Sequence, residues 1–217
     1  MPFPPPPVVT AFALKALDAQ GIQGTGAAPL SVALGIAISG ALALFLVQAR
    51  AAEGQPARVI PPPAGLNDGS TILPGRLDGG ITPALAIPLA TGALVSVGLL
   101  GESTPGLGEA VGACVAKSLD CFVAKVQVAS GAAIMGGVTI PPGGTLRMGD
   151  PPSDWGLQAL CAAELDAKDI KGEGGKKLAK VLSETLENTF LALIPMIRVA
   201  PGVPAVPGMT TGPGMLL

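Results

Sequence analysis

A stretch of fourteen residues occurs twice in this chain. Leu17-Asp18-Ala19-Gln20-Gly21-Ile22-Gln23-Gly24-Thr25-Gly26-Ala27-Ala28-Pro29-Leu30 aligns without a gap on Leu165-Asp166-Ala167-Lys168-Asp169-Ile170-Lys171-Gly172-Glu173-Gly174-Gly175-Lys176-Lys177-Leu178, and seven of the fourteen positions are identical. Self-similarity of this kind restricts the fold to arrangements in which one supersecondary unit recurs. A weaker third copy fits the middle of the chain when Leu99 and Gly106-Leu107-Gly108 are set on Leu17 and Gly24-Thr25-Gly26. Each copy reads as a helical hairpin. A short helix ends near Ile22, Thr104 or Ile170, a Gly-x-Gly break turns the chain, and a longer apolar helix follows, over about residues 29–50, 107–126 and 175–194.

After each hairpin comes a valine-and-proline stretch: Val59-Ile60-Pro61-Pro62-Pro63, Val138-Thr139-Ile140-Pro141-Pro142, and Val199-Ala200-Pro201-Gly202-Val203-Pro204. Proline cannot donate to a sheet ladder, so these pieces are expected as short edge strands or extended arms lying on a neighbour. The expected fold is therefore α+β and mainly helical, with repeated helical hairpins each followed by a short Pro/Gly-rich β strand or arm. Its three units span residues 1–81, 82–152 and 153–217, the last ending in a C-terminal arm.

Function classes are narrowed by what is missing. The 217 residues include no histidine and no tyrosine, which removes the commonest general base and metal ligand. Without histidine, Cys114, Cys121 and Cys161 cannot complete a zinc site, and they read as small apolar core residues rather than a disulfide framework. No metal, no cofactor and no enzyme activity are expected. A net charge of −2 and 3% aromatic residues give little to hold nucleic acid. The Gly-x-Gly segments continue neither as a dinucleotide fingerprint nor as a P-loop, so they read as turns. Asp18 and Asp166 occupy matching places in two copies, which suits local hydrogen bonding better than catalysis. The proline-rich start lacks the features of a secretory signal, and a cytoplasmic protein is expected.

The chain is 49% apolar and 13% charged, whereas an ordinary soluble domain carries about 25% charged residues, so much of its surface should be covered by partners or lipid. Between Thr10 and Ala49 only Lys15 and Asp18 are charged, while the matching stretch from Glu164 to Glu187 is dense in charge. Leu178, Val181, Leu182, Leu186, Phe190, Leu193 and Ile194 recur at the period of one helix face, and Pro195 marks the end of that helix. Leu30 to Ala49 is an uncharged run long enough to span a bilayer. Its Ser31, Gly35, Ser39, Gly40 and Gln48 favour a buried, closely packed helix; a membrane span over residues 30–49 is the alternative. The uncharged C-terminal segment reads as an arm docked on an adjacent subunit, with Val199, Val203, Val206, Met215, Leu216 and Leu217 as interface candidates. Trp155 is a further candidate, for core or interface, and Ser153 or Asp154 is expected to cap the helix after it.

A helical unit, a valine-proline strand and the terminal Thr210-Thr211-Gly212-Pro213-Gly214 string resemble small structural proteins of tailed-phage virions and related contractile injection particles. The resemblance covers mainly residues 159–217. It implies a structural subunit of a virion or cytoplasmically assembled particle, partnered by copies of itself and by other structural proteins. Three fused modules would imitate a trimer within one chain, which suits a ring or sheath of threefold or sixfold symmetry.

Overall fold

The computed structural model describes residues 3–60, 68–149 and 155–217. Its helices are α1 (Pro6–Ala19), α2 (Ala27–Gln48), α3 (Pro83–Ser96), α4 (Thr104–Lys125), α5 (Leu157–Asp166) and α6 (Gly172–Leu193). The long ones, α2, α4 and α6, have 22 residues each. Their eighth, eleventh, fifteenth and nineteenth residues are buried in all three: Leu34, Ala37, Ala41 and Phe45; Val111, Cys114, Ser118 and Phe122; Ala179, Leu182, Leu186 and Phe190. Those spacings put the residues on one face, which each helix turns to the shared core. The nineteenth residue is phenylalanine every time. The ring centroids of Phe45 and Phe122 lie 5.8 Å apart, and those of Phe122 and Phe190 lie 5.0 Å apart. Trp155 lies flat on Phe122 and 5.5 Å from Phe190.

Each long helix packs on the short helix before it, and α2, α4 and α6 also meet the short helix of the next pair: α3, α5 and α1. Gly35 and Gly112 set the approach within the first two pairs. A Cβ on Gly112 would stand 2.5 Å from Ile87 Cα, and one on Gly35 would meet the Pro6 carbonyl oxygen at 2.9 Å. Both glycines stand ninth in their helices, where α6 carries the exposed Lys180.

The turn inside each pair has one geometry. The amides of Ile22, Leu99 and Ile170 donate to the carbonyls of Leu17, Leu94 and Leu165 at 2.9, 3.1 and 3.0 Å. The preceding residue is left-handed each time: Gly21 (φ 66°), Gly98 (φ 79°) and Asp169 (φ 59°). This closes the helix end by satisfying carbonyls that the helix leaves free. Leu99 therefore corresponds to Ile22 and not to Leu17, and Thr104 begins α4 instead of ending a helix. Matching the Gly-x-Gly strings misplaced the middle copy by five residues, because the turn is set by the left-handed residue. At the start of α5, Gly156 holds the cap position with φ 68°; Ser153 and Asp154 lie outside the described residues, as do Pro61, Pro62 and Pro63.

Four short strands follow each long helix. They are β1 (Arg50–Ala51), β2 (Pro56–Ile60), β3 (Asp68–Thr71) and β4 (Gly75–Asp78); β5 (Val126–Val128), β6 (Ala133–Met135), β7 (Val138–Thr139) and β8 (Gly144–Met148); β9 (Arg198–Val199), β10 (Ala205–Val206), β11 (Gly208–Thr210) and β12 (Gly214–Met215). The outer strands of the three sets form one six-stranded antiparallel sheet, ordered β12-β1-β4-β5-β8-β9, and the inner strands form a second, ordered β10-β11-β2-β3-β6-β7. Bridges between Val199 and Leu216 and between Val138 and Pro204 bring the ends of each sheet together. The first ring adjoins the helix ends. The second lies beyond it and has a small core of its own, made by Ala57, Val59, Ile134 and Ala205.

The C-terminal segment is thus no free arm. Met215 pairs with Arg50 and Met209 with Pro56, so its hydrogen bonds close the chain's own rings. Three threonines join the strand sets in a cycle. Thr71 Oγ1 accepts from the Ala132 amide, Thr139 Oγ1 from the Val203 amide and Thr210 Oγ1 from the Gln55 amide, each at 3.0 Å. Beside each, a glycine with positive φ, Gly131, Gly202 or Gly54, donates to the carbonyl of the same threonine at 2.7, 2.7 and 2.9 Å. All three threonines are buried.

The cysteines also depart from expectation. Cys114 and Cys161 form a disulfide joining α4 to α5, their Cα atoms 5.3 Å apart, and Cys121 remains free. Helix packing supplied the proximity that the spacing of the cysteines could not reveal. Ion pairs Lys117–Glu164 and Lys168–Glu109 lie at the same seam.

Candidate interaction surface

Along β2 and β6 of the second ring, side chains alternate between its core and solvent. Exposed apolar residues stand at one end of these strands, Ile60 (46% exposed), Met135 and Val138 (58% and 39%), Val206 and Met209 (44% and 50%), while Asp68 is the partner of Ile60 in the first pair. The turn between β6 and β7 is two residues long because Gly136 and Gly137 both adopt positive φ. Charge is scarce at this end. Of the six strands of the ring only β2 and β3 carry any, at Arg58 and Asp68, and no charged residue occurs from Val126 to Leu146 or from Val199 to Leu217. Asp68 is engaged locally, since its Oδ1 accepts from the Gly136 amide at 3.0 Å. Charge is instead carried by α4, α5, α6 and the first ring, where Arg50, Arg76, Asp78, Arg147 and Arg198 lie, while the far end of the second ring forms an apolar crown.

The residues singled out from the sequence divide between core and surface. Trp155, Val199, Val203 and Leu216 are buried within the chain, which places Trp155 in the core. Val206 belongs to the crown. Met215 and Leu217, 56% and 51% exposed, line a cleft of about 680 Å³ where β12 and β9 pass the end of α2. Leu46, Val47 and Met196 complete its apolar wall, and Arg50 and Arg198 stand at it. Arg50 Nη1 already donates to the carbonyls of Val47 and Ala49, at 2.7 and 2.8 Å, closing the end of α2. The crown residues Ile60, Met135, Val138 and Met209 were not anticipated. For Met135, Val138 and Met209 a signal was available, as apolar residues bordering Gly136-Gly137 and Gly208.

Other concavities are small and unspecialised. One of about 550 Å³ lies between the first two hairpin turns, against Gly24, Thr25, Leu99 and Leu107. Another, of about 500 Å³, lies between Arg76 and Asp120, and burial raises the pKa of the Asp120 carboxyl. Among the described residues no group of three or more His, Cys, Asp or Glu side chains stands close enough to hold a metal ion. Asp18 and Asp166 take part in their turns through backbone carbonyls, which accept from Gly21 and Asp169 at 3.0 and 3.1 Å.

Comparison with protein-family models, with curated proteins and with solved structures returns no match.

Proposed function

We propose that this chain is a non-enzymatic structural subunit of a phage virion or phage-tail-like assembly, formed and retained as a cytoplasmic particle. In this reading three fused modules, each a helical hairpin followed by Pro/Gly-rich strands, give one polypeptide the symmetry of a trimer. The observation that carries the proposal is the cycle of three equivalent threonine links between the strand sets, beside the phenylalanine at the nineteenth position of each long helix. A chain arranged in this way can occupy a threefold position in an assembly as a single copy. The crown offers the uncovered surface that the composition implies, in place of the extended arms expected from the sequence.

A membrane span by α2 is the competing reading. The helix is long and apolar enough for it, but 61% of its apolar window is buried by the rest of the protein, and a lipid-facing helix would have little need of that cover. The deciding experiment follows the native protein at its natural abundance through sedimentation and negative-stain imaging. The expected result is co-sedimentation with a regular particle that survives mild detergent. Recovery only as a free monomer, or only after extraction from membranes, overturns the proposal.

A further inference from the structure

We propose that the cleft between the end of α2 and the strands β9 and β12 binds a single-chain anionic amphiphile, of the class of a medium-chain fatty carboxylate. Such a site stands apart from the structural-subunit reading, and neither needs the other. The cleft measures about 680 Å³, inside the roughly 300–1,000 Å³ range of pockets that hold small ligands. Leu46 and Leu216 line it from the core, while Met196, Met215 and Leu217 stay exposed around it.

The fold does not demand an apolar cleft at this place, because the pairing register of the first ring supplies a comparison. Within the three strand sets Ala51 pairs with Leu77, Val128 with Leu146 and Val199 with Leu216. The preceding residues, Arg50, Gln127 and Arg198, therefore hold one position, and opposite them stand Asp78, Arg147 and Leu217. Between sets, Arg50 faces Met215 whereas Gln127 faces Arg76. The concavity beside Arg76 also holds Asp120, so both signs of charge line it. Where the other sets place charged side chains, this seam has Met215 and Leu217.

Two guanidiniums, those of Arg50 and Arg198, stand at the apolar wall. Arg50 is partly engaged, since its Nη1 bonds two carbonyls at the end of α2 and Asp78 lies across the ladder. Arg198 has Leu217 and Thr145 across from it, and among the described residues its side chain is paired with no carboxylate. The terminal oxygen of Leu217 accepts from the Arg198 amide at 2.9 Å, in the ladder, and makes no ion pair with the guanidinium. An acid group on the ligand gains a charge-assisted hydrogen bond at Arg198, and an alkyl tail brings no polar group to the wall. A peptide fits less well. The strands around the cleft are already paired within the closed sheet, so no free edge is left to receive a peptide's amides and carbonyls.

The test titrates the purified full chain with monomeric dodecanoate by calorimetry and follows the methionine methyl groups by carbon-13 NMR. The expected result is saturable binding of one molecule per chain, with the Met196 and Met215 signals moving and those of Met135 and Met209 still. Affinity should rise about fourfold per methylene from octanoate to dodecanoate. Dodecanol, which carries no charge, should bind at least about tenfold more weakly. Arg198→Gln should weaken dodecanoate at least about tenfold while the melting temperature stays within about a degree, because this side chain is exposed. Leu217→Asp, which sets a like charge against the ligand, should weaken it as much, and Arg76→Gln at the matching seam should leave it unchanged. Absence of saturable binding, equal affinity for dodecanol, an Arg198→Gln protein that binds as the parent does, or methyl shifts centred on Met135 and Met209 overturns the proposal. So does binding to phosphatidylglycerol vesicles without binding of monomeric dodecanoate. None of these results bears on the co-sedimentation that tests the structural role.

Discussion

Replacing Thr139 with valine isolates one of the three links that close the second ring. The two side chains have nearly the same shape, so no cavity forms, but valine has no oxygen to accept from the Val203 amide now bonded at 3.0 Å. Thr139 is 6% exposed and Val203 is 9% exposed, so water cannot readily replace the lost partner. Deleting one partner of a buried hydrogen bond costs about 1–3 kcal/mol, the desolvation penalty of the orphaned group. Taking about 2 kcal/mol for the loss and about 2 kcal/mol per M for the urea dependence, the unfolding midpoint should fall by about 1 M. Trp155, the single tryptophan, sits in the aromatic cluster and reports the transition by fluorescence. Amide exchange at Val203 reads the link itself and should quicken at least tenfold. Thr139→Ser keeps the oxygen and should restore most of the midpoint. The same change at Thr71 or Thr210 should cost a similar amount, and the triple valine variant, at about 6 kcal/mol if the sites are independent, should approach the whole stability of an ordinary domain. A Thr139→Val protein with an unshifted midpoint and a Val203 amide as protected as before would refute the argument, as would a serine variant as damaged as the valine one.

Gly112→Ala should cost about 1–3 kcal/mol or more in a urea melt, because its Cβ would stand 2.5 Å from a backbone atom of α3. Gly92→Ala, in the same hairpin but with nothing within 4 Å of the new methyl group, should instead be neutral or stabilising by about 0.5–1 kcal/mol; equal effects from the two would contradict the close-approach account. Reducing the Cys114–Cys161 disulfide, or replacing both cysteines with alanine, releases a link across 47 residues and should lower stability by up to about 4 kcal/mol on the chain-entropy estimate. Chemical denaturation with and without reductant checks this, and identical curves for the oxidised and reduced protein would count against it. The hydrogen bond from Lys171 at 2.7 Å, followed by its charge, holds the Asp169 carboxyl below its ordinary pKa. A carboxylate depressed in the folded state contributes its stability above the unfolded pKa and loses it as pH falls through the folded one. Carbon-13 NMR should therefore find Asp169 titrating below the usual aspartate range and Lys171→Ala should raise the midpoint; no response to that substitution would dismiss the pairing.

The helices were legible because burial of one face imposes a local period that any stretch of sequence displays. The long ones begin within three residues of the positions read from the apolar pattern, at Ala27, Thr104 and Gly172. Strand pairing was not legible. Arg50 meets Met215, and nothing in the neighbourhood of either residue specifies the other. Proline and glycine marked the segments as short and irregular, which suggested arms, yet closing a ring of two- to five-residue strands needs the same residues. The three linking threonines left a trace that the helix pattern overshadowed. Each is followed by Pro-Gly three residues on, at Pro74-Gly75, Pro142-Gly143 and Pro213-Gly214, and each partner segment begins with a glycine, Gly131, Gly202 or Gly54, but neither string says which threonine meets which glycine. The crown was half visible: Val206 was chosen for belonging to an uncharged tail, while its counterparts on the first two strand sets needed the ring to bring them to the same end.

Because β1 lies between β4 and β12, the first sheet cannot be completed until Gly214 and Met215 have left the ribosome. Arg50 and Ala51 emerge early and must wait for Gly214 and Met215. Until then the nascent chain exposes an unpaired strand edge, a template for pairing with other unfinished chains. Shielding of that edge during translation, for example by a chaperone, is a requirement that this closure places on the cell that makes the protein.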